Sequence, residues 1–107
     1  VRTYIAGPIN GYPNLNREAF EEAEARLHRM GHIPINPHKV KPREHPKGEC
    51  TGDLASEGHG YGCYMIPDLK ELLDCQAYTL LEGWELSRGA VVEEQVARIC
   101  GLLYVVI

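Results

Sequence analysis

Apolar and β-branched residues gather in four runs, Val1–Ala6, His32–Asn36, Tyr78–Leu81 and Leu102–Ile107, each with the length and bounding turn residues of a strand. Between the first two runs the period changes. Ala19, Phe20, Ala23, Leu27 and Met30 recur at helical spacing, while Arg17, Glu21, Glu22 and Arg29 fall mostly on other faces. Asn16 is placed as the N-cap of this first helix and Gly31 as its stop. Leu69, Leu72 and Leu73 follow Pro67 and Asp68, residues that suit a helix's first turn, and predict a second helix ending near Asp74. A third is expected from near Gly89 to Gly101, with Val92, Val96, Ile99 and Cys100 on its apolar side.

The order β-α-β, a long loop, then α-β-α-β predicts an α/β domain with helices on both faces of a parallel sheet. The expectation is a small Rossmann- or flavodoxin-like three-layer sandwich with four to five strands. Only the segment at about 37–62 breaks the pattern. It is rich in proline and glycine with little apolar periodicity, and a loop of that length in a small domain is usually a functional lid.

Length and charge narrow the function. The chain has 107 residues, one domain's worth over 1–107, with 44% apolar and 24% charged residues. Its apolar runs are too short to span a bilayer, so no membrane partner is expected. Eleven Lys and Arg against 15 Asp and Glu give a net charge of −4, which offers no footprint for duplex nucleic acid. Cys50, Cys63, Cys75 and Cys100 form no CxxC pair, and no leader-like segment precedes the first apolar run, which points to the cytoplasm. So small a domain builds a shallow pocket alone, and a homodimer or higher homo-oligomer is expected.

In a parallel α/β sheet ligands bind beyond the carboxyl ends of the strands, where strand order reverses. That brings to one mouth Gly7-Pro8-Ile9-Asn10-Gly11, the 37–62 loop, and Gly83-Trp84-Glu85-Leu86-Ser87-Arg88-Gly89. Ser87, Arg88 and Gly89 precede the third helix and suit a phosphate cradle, although a turn with a serine N-cap explains the same residues. Glu93, one turn further on, can look back to the mouth, whereas Glu94 points elsewhere. Asp68, at the expected start of the second helix, is the other carboxylate within reach. Two such groups can perform glycosyl chemistry, or simply complement helix dipoles.

Taken together, Tyr4-Ile5-Ala6-Gly7-Pro8-Ile9-Asn10-Gly11, Asn36-Pro37, Asp68-Leu69, Asp74 and Gly83-Trp84-Glu85-x-Ser87-x-Gly89-Ala90-x-x-Glu93 resemble the nucleoside 2-deoxyribosyltransferase-like superfamily. The resemblance is nearest to its small 2′-deoxynucleoside 5′-phosphate N-hydrolases and covers nearly the whole chain outside the 37–62 loop. It implies that Glu93 attacks or stabilises the anomeric carbon, that Asp68 orients sugar and glutamate, and that Tyr4 positions the carboxylate. It further implies that Ser87 binds a 5′-phosphate, since free-nucleoside transferases resemble one another in carrying an aspartate there. Gly7 and Gly89 match backbone positions that approach the ligand. Pro8 and Asn10 stand where the nucleotide hydrolases carry Ser and Arg, and Arg88 is placed to substitute. No metal or cofactor is needed, because an ionised carboxylate suffices to stabilise an oxocarbenium-like transition state.

The expected function is hydrolysis of the base–sugar bond of a 2′-deoxynucleoside 5′-monophosphate, with base exchange by a deoxyribosyltransferase or non-catalytic nucleotide binding as alternatives. A zinc site built from His45, Cys50, His59 and Cys63 competes only weakly, its spacing being poor. Trp84 suits stacking on a base or a subunit contact. Cys75 and Cys100 are expected in the core.

Overall fold

The first apolar run becomes β1 (Arg2–Ala6), and it is buried on both faces, which is why it reads as a continuous run rather than a strict alternation. The computed structural model describes residues 1–44, 54–56 and 59–107. After β1 come α1 (Arg17–Arg29), β2 (Ile33–Ile35), β3 (Leu54–Ser56), β4 (His59–Gly60), α2 (Tyr61–Leu73), β5 (Ala77–Leu80), α3 (Arg88–Ile99) and β6 (Leu103–Tyr104). Strands β2-β1-β5-β6 form one four-stranded sheet, parallel throughout. The expected three-layer α/β sandwich is therefore present. Among the described residues no helix is long and apolar enough to cross a membrane.

Side-chain alternation along β1 builds a core on each side of the sheet. Tyr4 and Ala6 meet Leu72, Cys75, Tyr78 and Ala97 beneath α2 and α3. Ile5 meets Phe20, Ala23, Leu27 and Leu81 beneath α1. Phe20 and Leu27 are fully buried, and truncating either to alanine would cost about 2–5 kcal/mol. Gly31 and Gly101 close α1 and α3 at φ of +87° and +76°, the left-handed stop that both positions were expected to supply.

Four local expectations need correction. Asn16 precedes α1, but its backbone is left-handed and its side chain makes no cap; Nδ2 donates instead to the Pro8 carbonyl at 2.9 Å. It ends a left-handed run with Asn14 and Leu15, a conformation that costs a residue such as leucine roughly 1–2 kcal/mol.

Helix α2 starts at Tyr61, not at Pro67, so Asp68 lies in its second half rather than in the first turn. Pro67 is tolerated inside the helix because the carbonyl its missing N–H would have served, that of Cys63, accepts the Arg43 N–H at 2.7 Å. The segment expected as loop at about 37–62 contains a 3-10 turn at Pro37–Lys39, the antiparallel pair β3–β4 and the start of α2.

Helix α3 turns Ala90, Glu93 and Ala97 inward, leaving Val92 and Ile99 exposed and Cys100 at the surface. Two alanines let the helix sit close to the sheet, and that close approach lets a glutamate on the same face reach the interior. Cys75 is buried as expected. The proposed zinc ligands His45 and Cys50, and the side chain of His59, lie outside the described residues. Among the described residues no cluster of His, Cys, Asp or Glu is arranged to hold a metal ion.

Candidate active site

β1 and β5 are neighbours, yet the chain leaves them in opposite directions, β1 toward β2 and β5 toward β6. Strand order reverses between them, and a crevice opens beyond their carboxyl ends. A cavity of about 310 Å³ occupies this position. The loop after β1 supplies Gly7, Pro8, Ile9 and Asn10, and the start of α3 supplies Ser87, Arg88 and Gly89. Asp68 from α2 and Glu93 from α3 complete the expected set in its wall. Gly11 and Trp84 do not line the cavity, so the substrate contacts expected of them are not supported.

Glu93 is 5% exposed, and the Tyr4 hydroxyl, itself fully buried behind it, donates a hydrogen bond to its Oε2. Burial pushes the Glu93 carboxyl up to about 8; the Tyr4 hydrogen bond opposes that rise, and the nearby Asp68 adds to it. Asp68, 8% exposed, is pushed up to about 7, mainly by burial and then by the charge of Glu71. Tyr4 is held well above the ordinary phenol range by burial and by the two carboxyls, so it remains a proton donor. Two carboxyl groups in one cavity thus titrate near neutral pH. Perturbation of this kind, produced by burial beside a specific partner, is common where proton-transfer or nucleophilic chemistry takes place.

Also in the cavity wall, Ser87 caps α3, its hydroxyl oxygen accepting the Ala90 N–H at 3.2 Å. An accepting hydroxyl still has its own proton to donate, so capping and ligand contact are compatible. Gly7 has a packing reason as well, since a Cβ there would lie 2.7 Å from Leu81 Cβ. Gly89 faces Met65, whose sulfur would lie 3.2 Å from an added Cβ, and so allows α3 to pack closely on α2.

Several wall residues escaped the sequence reading. His38 follows Asn36-Pro37, and the buried Asn36 side chain accepts the His38 N–H at 3.0 Å, which fixes the turn. The imidazole stacks edge-on against Phe20 at 4.8 Å, and its Nε2 is buried with no hydrogen-bond partner among the described residues. Burial and the Arg17 charge lower its pKa, which keeps it neutral. Arg17, Tyr61 and Tyr64 also line the cavity. The Asn36-Pro37 motif was a usable signal for His38. For Tyr61 and Tyr64 none existed while α2 was expected to begin at Pro67.

A family model described as a domain of unknown function, DUF4406, matches residues 1–106. The chain belongs to the DUF4406 family. No curated protein matches it. The DUF4406 match includes every strand of the parallel sheet and all the segments that wall the cavity, so the site lies wholly within the family's domain.

Proposed function

We propose that this DUF4406 protein is an N-glycosidase that hydrolyses the base–sugar bond of 2′-deoxynucleoside 5′-monophosphates. One observation carries the reading: Glu93, buried in the cavity wall at the sheet's switch point, accepts the hydroxyl of Tyr4 and shares the cavity with Asp68. Cleavage of an N-glycosidic bond sends the bonding electron pair to the base and leaves positive charge on the sugar. An ionised Glu93 stabilises that charge or forms a bond to the anomeric carbon; water then attacks that carbon, displacing the carboxylate where a bond had formed, and the proton it loses ends on the departed base. With its pKa raised to about 8, the carboxyl is mostly protonated at neutral pH. Positive charge on the sugar favours its ionised form, so burial weakens the resting charge and strengthens its effect when charge develops.

Tyr4 orients the carboxyl, and Asp68 orients the sugar. Ser87 and the first turn of α3 suit a phosphate, because backbone N–H groups at a helix start attract anions and a hydroxyl does not repel them. The motif resemblance to 2′-deoxynucleoside 5′-phosphate N-hydrolases supports the same assignment of roles. Exposed apolar side chains on α3, on β6 and just beyond it, Ile99, Leu103 and Val106 among them, favour a homodimer that covers them. A deoxynucleotide substrate fits a cytoplasmic enzyme.

Incubating the protein with a panel of deoxynucleotides, ribonucleotides and nucleosides, followed by chromatography for free base, tests the proposal. Base release from deoxynucleoside monophosphates supports it. New nucleotides formed with an added acceptor base would make the protein a transferase, and tight binding without release would make it a binding protein.

A further inference from the structure

Three elements meet where α2 begins. The Asn10 side-chain amide, from the loop after β1, donates to the Tyr61 hydroxyl at 3.4 Å. The guanidinium carbon of Arg88, from the first turn of α3, lies 4.7 Å from the centre of the Tyr61 ring. All three side chains belong to the cavity wall, as does Ser87, the cap of α3. The backbone reinforces the junction, because Gly89 lets α3 close onto Met65, one turn beyond Tyr61 on α2.

We propose that Tyr61 is a positioning residue that sets the preference for an anionic substrate: its ring holds the Arg88 guanidinium in the cavity wall, where it meets a phosphate group. The inference rests on the cavity being the substrate site of the proposed function. Arginine is always charged and suits phosphate through paired N–H donors, but its long chain loses rotamer freedom on binding. A cation–π contact uses the π face of the ring and consumes none of those donors, so it orders the side chain before the anion arrives. Preordering of this kind strengthens binding by removing a cost otherwise met on association. The ring is the working part of Tyr61. Its hydroxyl serves the weaker link to Asn10.

Calorimetric titration of the full chain with inorganic phosphate tests this without requiring any base release. Tyr61→Leu should weaken phosphate binding about tenfold, equivalent to about 1.4 kcal/mol. Tyr61→Phe should remain within about threefold of wild type, because the ring is kept. Arg88→Lys, which keeps the charge but not the flat guanidinium, should lose about as much as Tyr61→Leu. Combining Tyr61→Leu with Arg88→Gln should be no worse than Arg88→Gln alone, since the tyrosine acts through the arginine. Thermal melts establish folding, and if Tyr61→Leu does not fold, Arg88→Lys reads the same contact from α3.

No phosphate binding by the wild type overturns the inference, as does wild-type affinity in Tyr61→Leu or in Arg88→Lys. A loss in the double variant beyond that of Arg88→Gln overturns it too. Tyr61-dependent phosphate binding with no base released from any nucleotide would leave this inference standing and sink the glycosidase reading. Base release without Tyr61-dependent phosphate binding would do the reverse.

Discussion

Replacing Glu93 with glutamine isolates the cost of a buried carboxylate. In the unfolded chain the group ionises near the ordinary value of 4.5, and in the folded protein near 8. A raised folded value means that the stability contribution is fully present below pH 4.5 and is lost as pH rises through 8. Each unit corresponds to 1.36 kcal/mol, so between pH 5 and pH 8.5 Glu93 alone removes about 4 kcal/mol from the wild type. Glutamine has the same shape, can still accept the Tyr4 hydroxyl and does not ionise. Its extra N–H₂ group shifts stability by a constant offset, so the informative quantity is the change with pH and not the value at either pH. Asp68 contributes its own loss between its ordinary 3.8 and about 7, and this remains in both proteins. Urea denaturation of wild type and Glu93→Gln at both pH values measures the difference directly. A pH dependence equal in the two proteins to within about 1 kcal/mol would refute the argument that burial raises the Glu93 carboxyl.

Three further outcomes follow from the same geometry. Base release should rise with pH from about 6 to 9 with a midpoint near 8, because Glu93 acts ionised, and a profile that falls over this range would contradict its role. Tyr4→Phe removes the hydrogen bond that favours the ionised form, so the midpoint of that profile should move upward and activity at pH 7 should drop about tenfold per unit of movement. Gly7→Ala places a methyl group 2.7 Å from Leu81 Cβ, an atom tied to the backbone, and thermal denaturation should show a loss of about 1–3 kcal/mol.

Much of this architecture is legible in the residues. Tyr4, Ile5 and Ala6 announce a strand buried on both faces, Gly31 and Gly101 announce helix ends, and the order of elements places Gly7–Asn10 and Ser87–Glu93 at one mouth. The failures have physical causes. Pro67 reads as a helix start because its missing N–H normally leaves a carbonyl unserved, and only the distant Arg43 N–H, invisible to local rules, makes it tolerable inside α2. Tyr61, Tyr64 and Met65 were hidden by the same misreading. Periodicity favours Val92, Val96 and Ile99 as the buried face of α3 because they are larger and more apolar than Ala90 and Ala97; Val96 does pack against the core, but Val92 and Ile99 are exposed. The helix buries the small residues instead, since close approach to the sheet is what carries Glu93 inside. Arg17 belongs to a helix start whose convergence on the cavity depends on tertiary packing, so its place in the chain carries no signal of the cavity, whereas His38 follows directly on Asn36-Pro37.

The central claim is that Glu93 performs glycosidic chemistry in the switch-point cavity. The most direct measurement compares base release from a 2′-deoxynucleoside 5′-monophosphate by the wild type and by folded Glu93→Gln, with free base separated by chromatography. The account predicts release by the wild type and its abolition in the variant while the fold is retained. Near-wild-type turnover by Glu93→Gln, or no release by the wild type from any deoxynucleoside monophosphate, would contradict it.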